Sequence, residues 1–271
     1  MTYHAAVFGN PIAQSKSPLI HHNFAKQFGI DLVYVKQQSE MSQFEDDLKR
    51  FFTQENSIGV NVTAPFKENA FNWVSEHTDF AARAGAVNTI IRKPNTDTFI
   101  GANSDGLGLI ADLAHHQLDL ADKSVLLIGA GGAAKGALPA IVGAGVKHIS
   151  IYNRTKSKAE SLIKETQEYA SCDLLASIDE TKVYDLIINA SSASLTQQVP
   201  DVPAAIFTNR TVAYDMAYSD KLTPFCQLAT DSGCKHALDG LGMLVEQAAV
   251  SFECWFNKRP KTDDIRKQLR A

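Results

Sequence analysis

The chain has 271 residues, of which 45% are hydrophobic and 21% are charged, a composition that is typical of a soluble globular protein and excludes a disordered or low-complexity chain. Lysine and arginine total 26 against 30 acidic residues, which gives a net charge of −4. Without a basic excess to bind phosphate backbones, nucleic acid is not an expected partner. At about 150 residues per domain, the length predicts two domains.

The cysteines and histidines form no metal-binding pattern. The four cysteines stand 54, 8 and 20 positions apart, so they include no C-x-x-C pair, and this usage is typical of a reduced cytoplasmic protein. The pairs His21-His22 and His115-His116 are sequence neighbours, which point in different directions on a helix and chelate poorly. We therefore expect no metal and a cytoplasmic location.

Neither the N-terminus nor the most apolar window of the chain has the features of a targeting or membrane signal. The N-terminus lacks a basic segment followed by a long apolar stretch, so it does not predict a secretory signal. The apolar window from Val125 to Val146 contains Lys135, Pro139 and six glycines, which makes it a poor bilayer span. A buried strand, a turn and a helix explain this window better, and no membrane partner is expected.

The first hundred residues predict alternating strands and helices. Ala5–Phe8 is a strand that ends at Gly9-Asn10-Pro11, and Ser17 as N-cap with Pro18 starts a helix that Gly29 ends. The remaining predicted elements are a strand at Leu32–Val35, a helix striped by Phe44, Leu48, Phe51 and Phe52, a strand at Ile58–Val62, a short helix after Thr63-Ala64-Pro65, and a hairpin of Ala86–Arg92 and Thr98–Ile100 around Pro94–Asp97.

From Ser124 the same alternation continues with more apolar strands. The predicted strands are Val125–Ile128, His148–Tyr152, Asp185–Ile188 and Val212–Tyr214, and the predicted helices run to Ala144, from Lys156 to Tyr169, after Thr223, and from Leu241 to Phe256. This alternation predicts an α/β fold with parallel sheets covered by helices. We expect a domain boundary near Ser104, a connecting helix at Leu107–His115, and final helices that pack back on the first domain.

A glycine-rich motif follows the strand at Val125–Ile128. Gly129-Ala130-Gly131-Gly132-Ala133-Ala134 matches G-x-G-x-x-G/A and opens a helix. The first glycine suits a tight turn, the second admits a pyrophosphate, and the helix N-terminus favours the anion. The motif predicts dinucleotide binding.

The end of the next strand indicates which dinucleotide binds. An NAD site normally carries an acid there for the ribose hydroxyl, whereas this chain has Asn153, Arg154 and Thr155, with Lys158 one turn later. These donors suit a 2′-phosphate and predict NADP. A solvated basic helix start is the alternative interpretation.

Four motifs in the first half each have a structural alternative. Lys67, after Asn61-Val62-Thr63, could be a solvent lysine, and Asp105 of Asn103-Ser104-Asp105-Gly106 could be a helix N-cap. Ser15-Lys16-Ser17-Pro18 could be a plain cap, and Asn88 could be ordinary polarity at a strand edge. No one of these motifs identifies a function.

Taken together and in order, these motifs resemble the shikimate dehydrogenase family over essentially the whole chain, since Asp239-Gly240-Leu241-Gly242-Met243-Leu244 also follows in place. The resemblance implies an N-terminal α/β substrate domain (1–104, with 241–271 packing back on it), a C-terminal doubly wound Rossmann-type NADP domain (105–240), and an active-site cleft between them. It implies reversible NADP-dependent reduction of 3-dehydroshikimate to shikimate, a step toward chorismate and the aromatic amino acids. The expected protein is a monomer or homodimer.

The resemblance also implies roles for individual residues. The catalytic pair would be Lys67 and Asp105. The residues that would bind shikimate are Ser15, Ser17, Asn61, Thr63, Lys67, Asn88, Asp105, Tyr218 and Gln247. The residues that would face the cofactor are Asp79, Gly129, Ala130, Gly131, Gly132, Ala133, Asn153, Arg154, Thr155, Lys158, Met216 and Gly240.

Two positions depart from the family pattern. Ser104 replaces the usual threonine of N-T-D-G, and Ser194 replaces a glycine in Asn189-Ala190-Ser191-Ser192-Ala193-Ser194. Ser194 requires its loop to avoid backbone angles that favour glycine.

Two alternative functions remain open at this point. One is a quinate/shikimate dehydrogenase or a slow paralogue acting on a related polyol acid, and Asn153-Arg154 disfavours an NAD-preferring quinate enzyme. The other is a non-catalytic module that senses shikimate or a nucleotide. The intact Lys67 and Asp105 disfavour a sensor, which has no need of a proton-transfer pair.

Overall fold

A computed structural model describes residues 1–94, 96–166, 172–234 and 236–270. The chain divides into two compact units, one formed by residues 1–108 and 244–269 and the other by residues 109–243 with Arg270. The sequence predicts domain boundaries after residues 104 and 240, directly before the helices Asp105–His115 and Leu241–Phe256. The two units instead divide after residues 108 and 243, about one turn inside these helices.

The described residues contain twelve strands and ten α-helices. The strands are β1 (Tyr3–Gly9), β2 (Leu32–Gln38), β3 (Ser57–Val62), β4 (Glu76–His77), β5 (Thr89–Arg92), β6 (Phe99–Ala102), β7 (Ser124–Ile128), β8 (His148–Tyr152), β9 (Cys172–Leu175), β10 (Leu186–Asn189), β11 (Val212–Asp215) and β12 (His236–Asp239). The helices are α1 (Ser17–Gln27), α2 (Phe44–Phe52), α3 (Lys67–Trp73), α4 (Asp79–Ala84), α5 (Asp105–His115), α6 (Gly132–Gly143), α7 (Lys156–Thr166), α8 (Pro224–Asp231), α9 (Leu241–Phe256) and α10 (Asp263–Arg270). Short 3₁₀ helices lie at Ala193–Thr196 and Ala204–Ile206.

The first unit contains a mixed six-stranded sheet in the order β2-β1-β3-β5-β6-β4. β1 is parallel to β2 and β3, but β5 is antiparallel to both β3 and β6. The predicted hairpin is confirmed as the antiparallel pair of β5 and β6, since so short a connection cannot make a parallel crossover. The general expectation of parallel sheets is wrong for β3 and β5, which also pair antiparallel. Asn95 of the hairpin connection lies outside the described residues.

Helices cover both faces of this sheet because β1 is apolar on both sides. Ala5 and Val7 are buried against α1 and α9, whereas Ala6 and Phe8 are buried against α2. Strands buried on both faces read as continuous apolar runs, which is why Ala5–Phe8 shows no polar alternation. This packing holds the carboxyl ends of β1 and β3 side by side.

The second unit contains a fully parallel sheet in the order β12-β11-β10-β7-β8-β9. Numbered within the unit, this is the 3-2-1-4-5-6 order of the Rossmann fold, whose switch point lies between β7 and β10. The predicted α/β class with a Rossmann-type second half is confirmed. Helix α7 begins at the predicted Lys156 and runs to Thr166, and the rest of the predicted helix lies outside the described residues.

The apolar window that resembles a membrane span forms β7, a turn and α6. Its strand Val125–Ile128 is buried in the centre of the parallel sheet, and Leu138 and Ile141 of α6 pack against it. In the described ranges, no helix has both the length and the hydropathy needed to cross a bilayer.

Candidate active site

The carboxyl ends of β1 and β3 place one group of predicted residues together. The backbone N–H of Thr63 donates to the carbonyl of Phe8 at 2.9 Å, which ties the residue after β3 to the end of β1. A side chain at Gly9 would bring its Cβ within 2.5 Å of the Thr63 methyl, so glycine is needed there. Four residues later Lys67 begins α3, next to this sheet edge.

Lys67 and Asp105 form an ion pair in the first unit. Lys67 Nζ lies 2.5 Å from Asp105 Oδ2, and the side chains are 22% and 10% exposed. The other carboxylate oxygen of Asp105 accepts from Asn88 Nδ2 at 2.8 Å. The carboxylate is therefore held from both sides, while the partly exposed ammonium remains able to donate to a ligand.

Asn88 is bound by the protein on both ends of its side chain. Its Oδ1 accepts from the backbone N–H of Ser104 at 2.9 Å, and its Nδ2 also lies 3.0 Å from Ser104 Oγ and 3.4 Å from Gln247 Oε1. Asn88 is only 3% exposed. Asn88 thus contacts two predicted site residues directly, Asp105 and Gln247, and is linked to a third, Lys67, through Asp105. Its contact with substrate stays a prediction.

Asn61 is the centre of a second group of buried polar side chains. Tyr34 donates to Asn61 Oδ1 at 2.8 Å, and Asn61 Nδ2 lies 3.0 Å from Ser251 Oγ and 3.2 Å from Thr89 Oγ1. Sequence reasoning missed Tyr34, Thr89 and Ser251. Ser251 could have been found, because it stands four residues after Gln247 and therefore on the same face of α9.

The serine motif before α1 is arranged differently from the prediction. The N-cap is Lys16 rather than Ser17, which is already helical, and Pro18 occupies the first turn. Ser15 Oγ instead donates to Ser17 Oγ at 3.1 Å. The backbone N–H of Ser17 also donates to Ser15 Oγ at 3.3 Å, so the two serines form a hydroxyl pair at the start of α1, and their contact with substrate stays a prediction.

An apolar and aromatic layer supports these polar residues. The His21 ring stacks on Tyr34 with centroids 4.4 Å apart, and burial lowers the pKa of His21 to about 3, against a smaller opposing effect of Asn61. Burial also raises the pKa of Tyr34 well above its usual value, although a hydrogen bond with Ser17 opposes this. At neutral pH both rings are therefore uncharged, so neither contributes charge to the site.

In the second unit, a groove of about 500 Å³ lies at the switch point of the parallel sheet. It is lined by the turns after three strands, β7, β8 and β10, as expected for a ligand site of an open α/β sheet. Lining residues from the predicted cofactor set are Gly129, Ala130, Gly131, Gly132, Ala133, Asn153, Arg154, Thr155 and Lys158. The structure brings these nine together.

The glycines of this groove suit close approach by a pyrophosphate. Gly129 has a φ of +107°, and a Cβ there would lie 2.9 Å from the Ala190 backbone. Cβ atoms at Gly131 and Gly132 would instead point into open space. Helix α6 starts here without a side-chain cap, so its first N–H groups can bind an anion.

The rim after β8 carries the predicted 2′-phosphate donors. Asn153 Nδ2 donates to the backbone carbonyl of Thr155 at 2.7 Å, which fixes the turn, and Arg154 and Lys158 are exposed. Because the first turn of α7 holds no acidic residue, this positive charge is not neutralised within the turn. The donor set therefore fits a phosphorylated ribose.

Ser194, the departure from the family glycine, is accommodated. It lies in the 3₁₀ helix Ala193–Thr196, and the positive φ of this turn, 57°, falls on Gln197. Its hydroxyl donates to Asp215 Oδ2 at 2.6 Å, and Asn189 donates to Asp215 Oδ1 at 3.0 Å. Burial raises the pKa of Asp215, and these hydrogen bonds oppose the shift. Ser194 thereby attaches a wall of the groove to β11.

The remaining predicted residues do not belong to these two groups of contacts. Gly240 has a packing reason, since a Cβ would lie 2.2 Å from the Met216 carbonyl oxygen. Tyr218 is half-buried, and burial raises its pKa. Asp79 is exposed at the start of α4 in the first unit. The binding roles of Met216, Gly240, Tyr218 and Asp79 stay predictions.

Comparison with family models gives three matches along the chain. Residues 7–90 match the shikimate dehydrogenase substrate binding domain, residues 112–215 match shikimate / quinate 5-dehydrogenase, and residues 240–270 match the shikimate 5′-dehydrogenase C-terminal domain.

Whole-chain relatives and solved structures agree with these matches. The shikimate dehydrogenase (NADP(+)) of Shewanella woodyi is 45% identical, covering 100% of this chain and 98% of its own, and that of Vibrio atlanticus is 44% identical, covering 98% and 95%. An Ael1 enzyme from Pseudomonas putida superposes with a TM-score of 0.91 at 36% identity, covering 100% and 99%. A Thermus thermophilus shikimate 5-dehydrogenase in complex with NADP(H) and shikimate superposes with a TM-score of 0.87 at 27% identity, covering 99% of each chain.

Proposed function

The chain belongs to the shikimate dehydrogenase family, and from this premise we propose that it catalyses the reversible, NADP-dependent reduction of 3-dehydroshikimate to shikimate. The observation that carries the proposal is the Lys67–Asp105 pair, in which Asn88 holds the carboxylate and the ammonium stays partly exposed. A sensor would need only binding groups, whereas this pair can also transfer a proton.

The two units have different binding roles. The first unit (residues 1–108 and 244–269) is the substrate domain, and the second (residues 109–243) binds NADP in its switch-point groove. The support for this division is chemical, since the first unit gathers neutral polar groups around one ion pair while the groove combines open glycines with basic donors.

Lys67 acts as the general acid in the direction of reduction. NADPH, when bound, supplies the hydride to the carbonyl carbon. Lys67 donates a hydrogen bond to the carbonyl oxygen, which gains negative charge, and then transfers a proton to it. Asp105 keeps the ammonium oriented and accepts a hydrogen bond from the neighbouring hydroxyl of the substrate. In the direction of oxidation Lys67 takes the proton back.

Neutral polar groups bind the rest of shikimate. The hydroxyl pair of Ser15 and Ser17, with Thr63, holds the carboxylate, because no arginine falls in any substrate motif. Asn61, Asn88 and Gln247 hold ring hydroxyls, and Tyr218 lines the same site. A small ring crowded with hydroxyls suits such a set of neutral hydrogen-bonding groups.

Arg154 sets the cofactor preference. The Arg154→Ala variant is expected to lose roughly 10- to 150-fold in affinity for NADPH, which corresponds to the 1.5–3 kcal/mol of a hydrogen bond to a charged group. Affinity for NADH should change little, because NADH lacks the 2′-phosphate. Titration calorimetry with both cofactors measures the difference.

The matched control for Arg154 is Lys156→Ala. Lys156 is an exposed cation in the same turn, where it pairs with Glu160 at 3.7 Å and does not line the groove. It should leave both affinities within about twofold. Equal losses of NADPH and NADH affinity in Arg154→Ala would make Arg154 a structural residue.

The cellular setting follows from the reaction and the chain. We place the enzyme in the cytoplasm, because its four cysteines are free thiols. There it serves the route to chorismate and the aromatic amino acids, as a monomer or homodimer.

Purified protein assayed with shikimate and NADP⁺ tests the proposed function. NADPH should form at a rate that saturates with shikimate, and the rates with quinate or with NAD⁺ should be much lower. Faster turnover of quinate would replace the proposal by a quinate/shikimate dehydrogenase. Absence of turnover, together with tight binding of shikimate, would favour a sensing module.

A further inference from the structure

Helix α9 carries a fully buried serine, Ser251, whose hydroxyl contacts three polar side chains from three other segments of the first unit. Ser251 Oγ lies 3.0 Å from Asn61 Nδ2 in β3, 2.7 Å from Thr89 Oγ1 in β5, and 3.3 Å from the Oγ of Ser104, which directly precedes α5. It also lies 3.0 Å from the backbone carbonyl of Gln247, one turn earlier in α9. Nothing in the proposed mechanism uses this residue.

Hydrogen-bond accounting fixes the direction of two of these contacts. A serine hydroxyl has one proton and two lone pairs, and the Gln247 carbonyl can only accept. Ser251 therefore donates to Gln247 and accepts from Asn61 Nδ2, which can only donate. The hydroxyls of Thr89 and Ser104 have acceptors of their own nearby, since Thr89 Oγ1 lies 2.9 Å and Ser104 Oγ lies 3.2 Å from Asn88 Oδ1.

Two acceptors on the same side fix the orientation of the Asn61 amide. Tyr34 donates to Asn61 Oδ1, while Asn61 Nδ2 donates to Ser251 Oγ and to the backbone carbonyl of Asn88 at 3.2 Å. A flipped amide would place Oδ1 against the Asn88 carbonyl and the lone pairs of Ser251, and would present its NH₂ to the Tyr34 oxygen. With Nδ2 directed into the protein, Asn61 retains a lone pair on Oδ1 and meets a substrate hydroxyl as an acceptor.

We propose that Ser251 is a positioning residue of the substrate site, which acts through Asn61 by holding the Asn61 carboxamide in the orientation that accepts a hydrogen bond from shikimate. This inference rests on the proposed function, since shikimate is the ligand assigned to Asn61 there. Ser251 forms no part of the proton-transfer pair, so its loss weakens binding of shikimate rather than the chemical reaction.

Ser57, another buried serine of the first unit, makes only structural contacts. Ser57, at 3% exposure, lies 2.9 Å from the Gln54 carbonyl and 3.1 Å from Arg92, and none of its contacts is a predicted site residue. Ser57→Ala is therefore the matched control. It should lower thermal stability without changing the kinetic constants for shikimate.

The experiment measures steady-state kinetics and thermal stability of Ser251→Ala, Ser251→Cys and Ser57→Ala. We expect Ser251→Ala to raise KM for shikimate roughly three- to tenfold, the effect of one lost hydrogen bond, with kcat within about twofold and KM for NADP⁺ unchanged. Ser251→Cys keeps a weak acceptor of similar size, so its KM should lie between those of the wild type and the alanine variant.

The Asn61→Ala background tests whether Ser251 acts through Asn61. Adding Ser251→Ala to Asn61→Ala should change KM by less than about twofold, because the amide that Ser251 orients is gone. An unchanged KM in Ser251→Ala, or an equal effect with and without Asn61, would overturn the inference. Wild-type turnover of shikimate in the same assay decides the proposed function separately.

Discussion

The Lys67→Ala variant is expected to turn over shikimate about 10²- to 10⁴-fold more slowly than the wild type, the usual contribution of a positioned general acid or base. KM for shikimate should change little, because hydrogen bonds from other side chains supply most of the binding. Lys67 is the residue with the geometry for this role, since its ammonium is held by Asp105 yet stays 22% exposed. Steady-state kinetics in the direction of shikimate oxidation measure both constants.

Lys93→Ala is a matched control for this experiment. Lys93 also pairs with a carboxylate of the first unit, at 2.7 Å from Glu76, but it follows the end of β5 opposite to Asn88 and belongs to no predicted motif. Its removal should leave kcat within about twofold. A Lys67→Ala variant that keeps kcat and raises KM would show that Lys67 binds the substrate and does not transfer the proton.

The second half of the fold could be predicted from the sequence because its signals are local. Val125–Ile128 is apolar on both sides, Gly129 marks the turn with its positive φ, and Thr223 caps α8 through the Cys226 N–H. Each feature depends on residues within one strand, turn or helix. The antiparallel pairing of β5 with β3 depends on distant chain segments, which is why the expectation of parallel sheets is wrong there.

The candidate site divides in the same way. Lys67 and Asp105 could be named because each follows a strand within a motif of the family, and their 2.5 Å contact joins two such motifs. Tyr34 belongs to no motif, and Ser251 has only its helical spacing from Gln247 to indicate it. Their importance comes from the buried amide of Asn61, whose polar atoms need partners that only the folded chain supplies.

Ser17 shows how a correct residue can carry a wrong local interpretation. The Ser-Pro pair predicted an N-cap, but the helix begins one residue earlier than a cap at Ser17 allows. Two helix boundaries that differ by one residue satisfy the same propensities. The difference matters here because a capping hydroxyl would be engaged by the helix backbone, whereas Ser17 Oγ contacts the Ser15 hydroxyl and hydrogen-bonds with Tyr34.

The 4-deoxy analogue of shikimate is expected to lose about 10⁴-fold in kcat/KM, because the proposed Lys67–Asp105 pair flanks the 4-hydroxyl. A site that is built to hydrogen-bond a hydroxyl rejects an analogue without it, since its own buried polar groups are left without a partner. Asp105 is only 10% exposed, and Asn88 occupies one of its carboxylate oxygens, so water replaces the missing hydroxyl poorly.

Competing analogues distinguish this explanation from a general need for hydroxyls. The 5-deoxy analogue should lose less, because no charged group is assigned to the 5-hydroxyl and a neutral hydrogen bond contributes about tenfold or less. Both analogues retain the 3-hydroxyl that is oxidised, so kcat/KM can be measured for each under identical conditions. If 4-deoxyshikimate were oxidised as fast as shikimate, the ion pair would not contact the 4-hydroxyl. Lys67 would then have to reach the reacting 3-hydroxyl oxygen without a hydrogen bond between Asp105 and the 4-hydroxyl.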